Sequence, residues 1–144
     1  VKIDEHELPR APNIHYLGPK NYDELPAYLS GWDVALMPFA LNESTRYISP
    51  TKTPEYLCAG RPVVSTPIRD VERHYGKFEG VRIARGAEDF AVACDDMLAL
   101  ARSDGEWLAD ADLHLADMNW HVTQARMAAL MQERLAARQA APSG

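Results

Sequence analysis

The chain has 144 residues, with 15 Lys and Arg against 21 Asp and Glu, and a formal net charge of -6 at pH 7. This length predicts one domain whose core needs no disulfide or structural metal. The negative charge argues against a nucleic acid partner, so any phosphate that binds must be held by a local site. Hydrophobic residues at 47% and charged residues at 25% are typical of a soluble globular protein.

The ends of the chain and its cysteines bear on where the protein works. The sequence has no run of about 18 apolar residues and no signal peptide. Cys58 and Cys94 lack metal-ligand spacing, which suits reduced thiols in a cytoplasmic protein. The chain opens on Val1, and Val1-Lys2-Ile3 has the pattern of the end of a strand. We therefore expect a piece of a longer protein, truncated at its N-terminus.

Short β-prone segments alternate with helical patterns along the chain. Strands are predicted at 13–17, 33–37, 63–66 and 81–84, and helices at 24–29, from about 50 to 59, at 87–102, at 106–118 and at 121–141. The run 33–37 is almost continuously apolar, as in a parallel strand buried on both faces. Ser49 or Thr53 is expected to cap the helix that Gly60 ends. The alternation predicts an α/β fold with a parallel sheet.

The connection between residues 37 and 55 is the candidate binding site. It follows a strand, has no hydrophobic period and delivers Ser49, Thr51 and Lys52 to the start of a helix. In open α/β sheets ligands bind at the carboxyl ends of strands, where helix N-termini favour anions. Glu55, about one turn into the helix, has two oxygens that suit the vicinal hydroxyls of a ribose. The alternative is that the hydroxyls only cap the helix and that Lys52 is solvated.

The stretch from Pro50 to Thr66 carries a family resemblance. Its sequence, PTKTPEYLCAGRPVVST, closely resembles the donor-site stretch of retaining GT-B glycosyltransferases of the group 1 superfamily. The flanking segments 14–18 and 32–39 are also similar, and the resemblance covers roughly Asn13 to Leu100. It implies the C-terminal half of GT-B, a Rossmann-like open parallel sheet with flanking helices. Residues 1–138 would form this nucleotide-sugar-binding domain, and 139–144 a flexible tail.

The resemblance also implies an activity for the full-length protein. We expect a hexosyltransferase that uses a nucleoside diphosphate sugar, such as a UDP-sugar, and holds its acceptor in an N-terminal GT-B domain of the same polypeptide. The fragment alone is expected to be inactive. No metal ion or other cofactor is expected, because a lysine, hydroxyls and a helix N-terminus would stabilise the leaving diphosphate. The missing N-terminal domain could also supply a peripheral contact with a membrane.

The resemblance assigns roles to individual residues. In the superfamily, an acidic pair separated by seven residues brackets the phosphate loop, the first contacting the sugar and the second holding the ribose. Glu55 matches the second, whereas the first position carries Tyr47. Glu43 is the remaining acidic candidate for the sugar contact, and we count it with Lys52 as a candidate catalytic residue. Lys52 resembles a lysine that neutralises the diphosphate in some relatives.

Further candidates lie on either side of this segment. Tyr16, Gly18 and Pro19 would line the nucleobase end of the site. Arg46 and Arg69 lie near enough in sequence to contact phosphate, although either is also compatible with an ordinary surface charge. These residues complete the predicted donor site.

Two other functions are also compatible with the sequence. The absence of an acid at Tyr47 also fits a non-catalytic α/β binding or regulatory module, and a UDP-sugar epimerase of the same architecture would share the diphosphate pocket. The five histidines have no metal-ligand spacing. A stripe of apolar residues near the C-terminus predicts core or interdomain packing: Ala125, Met127, Leu130, Met131 and Leu135.

Overall fold

A three-stranded parallel sheet organises the chain. The computed structural model describes residues 6, 8–116 and 118–140. Within them, β1 (Ala35–Met37), β2 (Val63–Ser65) and β3 (Val81–Ile83) pair in the order β1-β2-β3. Val63 lies opposite Ala35 of β1 and Val81 of β3, which fixes the register on both sides of β2.

Helices flank and follow the sheet. A short 3-10 helix at Tyr22–Glu24 leads into the first of them, and the α-helices are α1 (Leu25–Ser30), α2 (Lys52–Cys58), α3 (Arg69–Tyr75), α4 (Ala87–Ala101), α5 (Glu106–Leu115) and α6 (Trp120–Ala140). The alternation of strands and helices confirms the predicted Rossmann-like α/β arrangement. Every α-helix except α3 was predicted within a few residues of these bounds. The same holds for all three strands of the sheet, which are the last three of the four predicted strands.

The core has one hydrophobic cluster on each face of the sheet. On one face, Leu57 of α2 and Trp107 of α5 pack with Val63 and Val81. On the other face, Met97 and Ala93 of α4 pack against Val64 of β2 and Ala84 after β3. Helices therefore cover β2 on both sides, and all three of its residues are fully buried.

The predicted burial of both faces of the first apolar strand is wrong for β1. Leu36, at its centre, is 50% exposed, while Ala35 and Met37 are buried. Leu36 lies opposite Val64, on the face that α4 covers, but α4 packs against β2 and β3. The apolar run was correctly predicted as a strand, but helix α4 does not cover the side chain of Leu36.

The strand predicted at 13–17 does not form. Ile14, Tyr16 and Leu17 are all exposed, and the Tyr16 hydroxyl donates a hydrogen bond to the Pro9 carbonyl at 2.7 Å. A β-prone segment needs a neighbouring strand to satisfy its backbone groups. The sheet of the described residues contains only β1, β2 and β3. The strand end predicted at Val1-Lys2-Ile3 lies outside those residues.

The start of α2 also differs from the prediction. Thr51, rather than Ser49 or Thr53, is the residue that precedes the first helical turn, and its side chain makes no capping hydrogen bond. Thr53 is fully buried, with its hydroxyl 3.9 Å from the Met37 sulfur. The Thr53 side chain therefore packs against β1 and does not cap. Gly60 follows the helix with a φ of +68°, as its predicted role requires.

Helix α6 leaves its apolar stripe in contact with solvent. Met127, Leu130, Met131 and Leu135 are 58–62% exposed, and Trp120 is 83% exposed. The prediction that this stripe joins the core is therefore wrong for the described part of the chain, and interdomain packing remains as its expected role. Residues 139 and 140 end α6, and the rest of the tail predicted at 139–144 lies outside the described residues.

Gly80 permits the close approach of α5 to the start of β3. A Cβ at this position would lie 2.7 Å from two ring carbons of Trp107 and 3.3 Å from Leu57 Cδ2. We expect Gly80→Ala to lower the free energy of unfolding by about 1–3 kcal/mol, because the buried indole must move. Urea denaturation monitored by circular dichroism measures this change.

Gly31→Ala is the matched control for this substitution. A Cβ there meets only carbonyl oxygens, the nearest at 3.5 Å, so we expect a change below about 1 kcal/mol. Equal effects of the two substitutions would contradict the steric explanation.

Candidate functional site

The loop between β1 and α2 is held by a local turn. The Asn42 N–H donates to Thr45 Oγ1 and the Thr45 N–H donates to Asn42 Oδ1, both at 3.1 Å. The Thr45 hydroxyl also bonds the Ala40 carbonyl. The Arg46 N–H bonds the Asn42 carbonyl at 3.1 Å. This network fixes the backbone of the loop from which the side chains of Glu43 and Arg46 project.

The carboxyl ends of β1 and β2 are tied together beside this loop. The Thr66 hydroxyl donates to the Phe39 carbonyl at 2.9 Å, and the Thr66 N–H donates to the Met37 carbonyl at 3.2 Å. The chain then turns through Pro67 into α3. The loop after β1 and the start of α3 therefore face each other across the ends of two parallel strands, where open α/β sheets bind ligands.

The first cleft of the site, the arginine cleft, lies between that loop and α3. It has a volume of about 420 Å³, and its charged lining residues are Glu43, Arg46, Arg69 and Glu72. Glu72 also forms an ion pair with Arg85, at 2.6 Å. The structure thus brings together Glu43, Arg46 and Arg69, which the sequence analysis named as candidates.

The second cleft, the hydroxyl cleft, lies between the end of this loop, the start of α2 and α3. It has a volume of about 280 Å³ and is lined in part by Ser49, Thr51, Asp70 and His74. Two of the predicted residues, Ser49 and Thr51, therefore share a cleft with polar side chains of α3. Because α3 contributes to both clefts, it forms the common wall of the site.

Lys52 and Glu55 lie next to each other in the first turn of α2. The Lys52 ammonium nitrogen is 3.5 Å from Glu55 Oε2, and the two side chains are 52% and 42% exposed. An exposed pair at this distance contributes at most about 0.5 kcal/mol to stability. Both groups are therefore accessible to a ligand and weakly held by each other.

Two neighbouring side chains on α2 are less acidic than usual. Burial raises the pKa of the Tyr56 hydroxyl, and the charge of Lys52 acts in the opposite direction. Burial, with the charge of Asp112, raises the pKa of the Cys58 thiol. Cys58 and Cys94 are both free thiols. A raised pKa disfavours the nucleophilic thiolate.

Tyr16 and Gly18 lie in a separate cleft. Its volume is about 520 Å³, the largest of the three, and residues between 8 and 18 supply its described lining. Gly18 has a φ of +67°, a conformation that favours glycine. Its described lining residues all precede β1, and none of them comes from the loop after β1 or from α3, which line the other two clefts.

Helix α3 is the part of the site that the sequence analysis missed. It supplies Asp70 and His74 to the hydroxyl cleft and Glu72 to the arginine cleft, none of which the sequence analysis named, together with Arg69, which it did name. The signal was present in the apolar residues at 68, 71 and 75, which recur at spacings of three and four and are all buried. The helix is only seven residues long and its other residues are polar, so the hydrophobic pattern covers too few positions to be recognised.

Neither a metal centre nor a membrane span is found among residues 6, 8–116 and 118–140. No group of three His, Cys, Asp or Glu side chains there is placed to hold a metal ion. No helix in those ranges combines the length and apolar character that crossing a bilayer requires.

Comparisons with known proteins identify the family. The model of the family described as "Glycosyl transferases group 1" matches residues 2–100. The chain is 32% identical over 101 residues to a Bacillus subtilis (strain 168) protein, TuaH, named as a teichuronic acid biosynthesis glycosyltransferase. The match covers 67% of this chain but only 24% of that relative. No solved structure matches the chain significantly. The chain therefore belongs to the group 1 glycosyltransferase family.

Proposed function

We propose that this chain binds the nucleoside diphosphate part of a sugar donor, such as a UDP-sugar, for a hexosyltransferase. The observation that carries the proposal is the pairing of Lys52 with Glu55 at the accessible start of α2, directly after the loop that follows β1. A cation suited to phosphate and a carboxylate suited to ribose hydroxyls thus lie about one helical turn apart. Membership of a glycosyltransferase family supplies the class of reaction.

The diphosphate would bind between Lys52 and the hydroxyl cleft. Ser49 and Thr51 line that cleft, and the Thr51 hydroxyl makes no helix-capping bond that a ligand would have to displace. Hydroxyl donors and an ammonium group are suited to phosphate oxygens. The structure therefore supports a diphosphate at this position, with Lys52 supplying the nearest positive charge on α2.

Glu55 would accept hydrogen bonds from the ribose hydroxyls. In the free chain its Oε2 contacts Lys52 at 3.5 Å, an exposed pair that contributes at most about 0.5 kcal/mol. A hydrogen bond to a charged group contributes about 1.5–3 kcal/mol. The ligand interactions outweigh the pair, so Lys52 can turn to the diphosphate while Glu55 binds the ribose.

The chemical role that we propose for this chain is to stabilise the leaving nucleoside diphosphate. As the bond between sugar and diphosphate breaks, negative charge develops on the phosphate oxygens, and Lys52 with the two hydroxyls would stabilise it electrostatically. Glu43, in the arginine cleft, is the candidate for contact with the transferred sugar. We propose no metal ion or other cofactor, and we place this reaction in the cytoplasm.

A non-catalytic binding module is the second candidate function. Tyr47 stands where the resemblance implies an acid, and its side chain is 72% exposed. A module that had kept the fold but lost the donor site would no longer need Glu55 and Lys52 as ligand contacts. Substitution of these two residues therefore separates the candidates.

The first prediction concerns nucleotide binding. We expect one of UDP, GDP, ADP and TDP to raise the melting temperature of this chain, and Lys52→Ala or Glu55→Ala to weaken its binding about tenfold, a loss of about 1.4 kcal/mol. Isothermal titration calorimetry measures the affinity. Lys77→Ala is the matched control, because this exposed lysine follows the C-terminal end of α3 and lines neither cleft, so its loss should leave affinity unchanged. Unchanged binding in both site variants would contradict the proposal.

The second prediction concerns stability. Because Lys52 and Glu55 are exposed and 3.5 Å apart, we expect each alanine substitution to change the free energy of unfolding by less than about 1 kcal/mol. Urea denaturation of the single and double variants measures this. A loss above about 2 kcal/mol would show that the pair holds the fold and would remove the binding interpretation.

The third prediction concerns turnover. The chain spans about a quarter of the length of the relative it matches. We propose that an N-terminal domain of the same polypeptide holds the acceptor, and therefore expect the chain alone to release no nucleoside diphosphate from its sugar donor. Chromatographic analysis of the nucleotide after prolonged incubation measures the release. Catalytic turnover by the chain alone would contradict the assignment of the acceptor site to another domain.

A further inference from the structure

We propose that the arginine cleft selects a donor whose sugar carries a carboxylate, that is, a nucleoside diphosphate hexuronate. The inference rests on the proposed function, since it extends the same donor from its diphosphate to its sugar. Arg46 and Arg69 enter the cleft from opposite walls, one from the loop after β1 and the other from the first turn of α3.

The two guanidinium groups are not neutralised inside the protein. Neither forms an ion pair with any described residue, although the chain has six more acidic than basic residues. Arg85 differs, because Glu72 binds it at 2.6 Å and thereby uses one of the two carboxylates that line the cleft. Glu43 is the carboxylate that remains, so the cleft has two unpaired cations against one unpaired anion.

The positions of both arginines favour a ligand over a role in folding. Arg69 is the first residue of α3, where the positive end of the helix dipole disfavours a cation. The Arg46 guanidinium lies over the Tyr47 ring, 5.3 Å from its centroid. Stacking of this kind orients the planar group while leaving its edge free to donate hydrogen bonds.

Tyr47 fits the same inference. The resemblance implies an acid at this position, in contact with the donor sugar, and such an acid would repel a carboxylate on that sugar. This chain has an uncharged tyrosine there, next to Arg46. The acid that would repel a sugar carboxylate is thus replaced at this position by an uncharged side chain beside an arginine, which favours an anionic sugar.

The size and the remaining groups of the cleft suit one sugar ring. Its volume of about 420 Å³ lies within the range of small-molecule sites. The paired donors of a guanidinium match the two oxygens of a carboxylate. Glu43 can accept hydrogen bonds from ring hydroxyls, and the apolar residues Pro67 and Ile68 line the cleft beside Arg69.

The test compares two donors that differ only at C6 of the sugar. Calorimetry first establishes binding of UDP or GDP to the chain, and then compares UDP-glucose with UDP-glucuronate, or GDP-mannose with GDP-mannuronate. We expect the hexuronate to bind about tenfold more tightly, with the preference falling as salt is raised, because charge-assisted bonds at an exposed site carry it.

The variants assign that preference to the cleft. Arg46→Gln and Arg69→Gln should each reduce this preference for the hexuronate to threefold or less. Arg73→Gln is the matched control: it removes the same charge from an exposed residue of α3 that does not line the arginine cleft, and it should retain the full preference.

The other outcomes contradict the inference in distinguishable ways. Equal affinity of the unaltered chain for both donors, with the diphosphate bound, overturns the hexuronate assignment and leaves the proposed function intact. Equal weakening of UDP and both sugar donors by Arg46→Gln shows that Arg46 binds the diphosphate instead. Binding of no nucleoside diphosphate overturns both proposals.

Discussion

The burial of β2 on both faces is the constraint on which the rest of the structure depends. Its residues have no solvent exposure, and both neighbouring strands pair with it in parallel. A three-residue strand can hold a sheet together only if helices remove both of its faces from water. Helix α4 covers one face, and α2 with α5 covers the other. The positions of the loops at the carboxyl ends follow from this packing.

The candidate site depends on the same strand through its end. Thr66, directly after β2, bonds the carbonyls of Met37 and Phe39, so the loop that follows β1 starts from a fixed point. The two polar clefts then form against α3, the helix that β2 leads into. Rigid strand ends with functional groups on the adjoining loops are the usual way in which this class of fold combines a stable core with a variable ligand site.

The sequence predicted the elements whose pattern is local and missed what depends on partners. The β-branched run of β2 and the periodic apolar residues of α4 were sufficient. Residues 13–17 have the same β-prone character but lack a neighbouring strand, so no strand forms. The loop between β1 and α2 was placed correctly, because it follows a recognisable strand. Its opposite wall, α3, was missed because a short polar helix has too few apolar residues to establish a period.

The exposure of α6 has a consequence for how the chain unfolds. A helix of 21 residues gains most of its stability from packing, and the stripe that would supply it faces water. The sheet and helices α2 to α5 supply the buried side chains of the two core clusters, so they form one cooperative unit that ends near residue 115. Beyond it, α6 can open and close on its own, with little release of buried surface. The last part of this chain is thus thermodynamically separate from the part that carries the site.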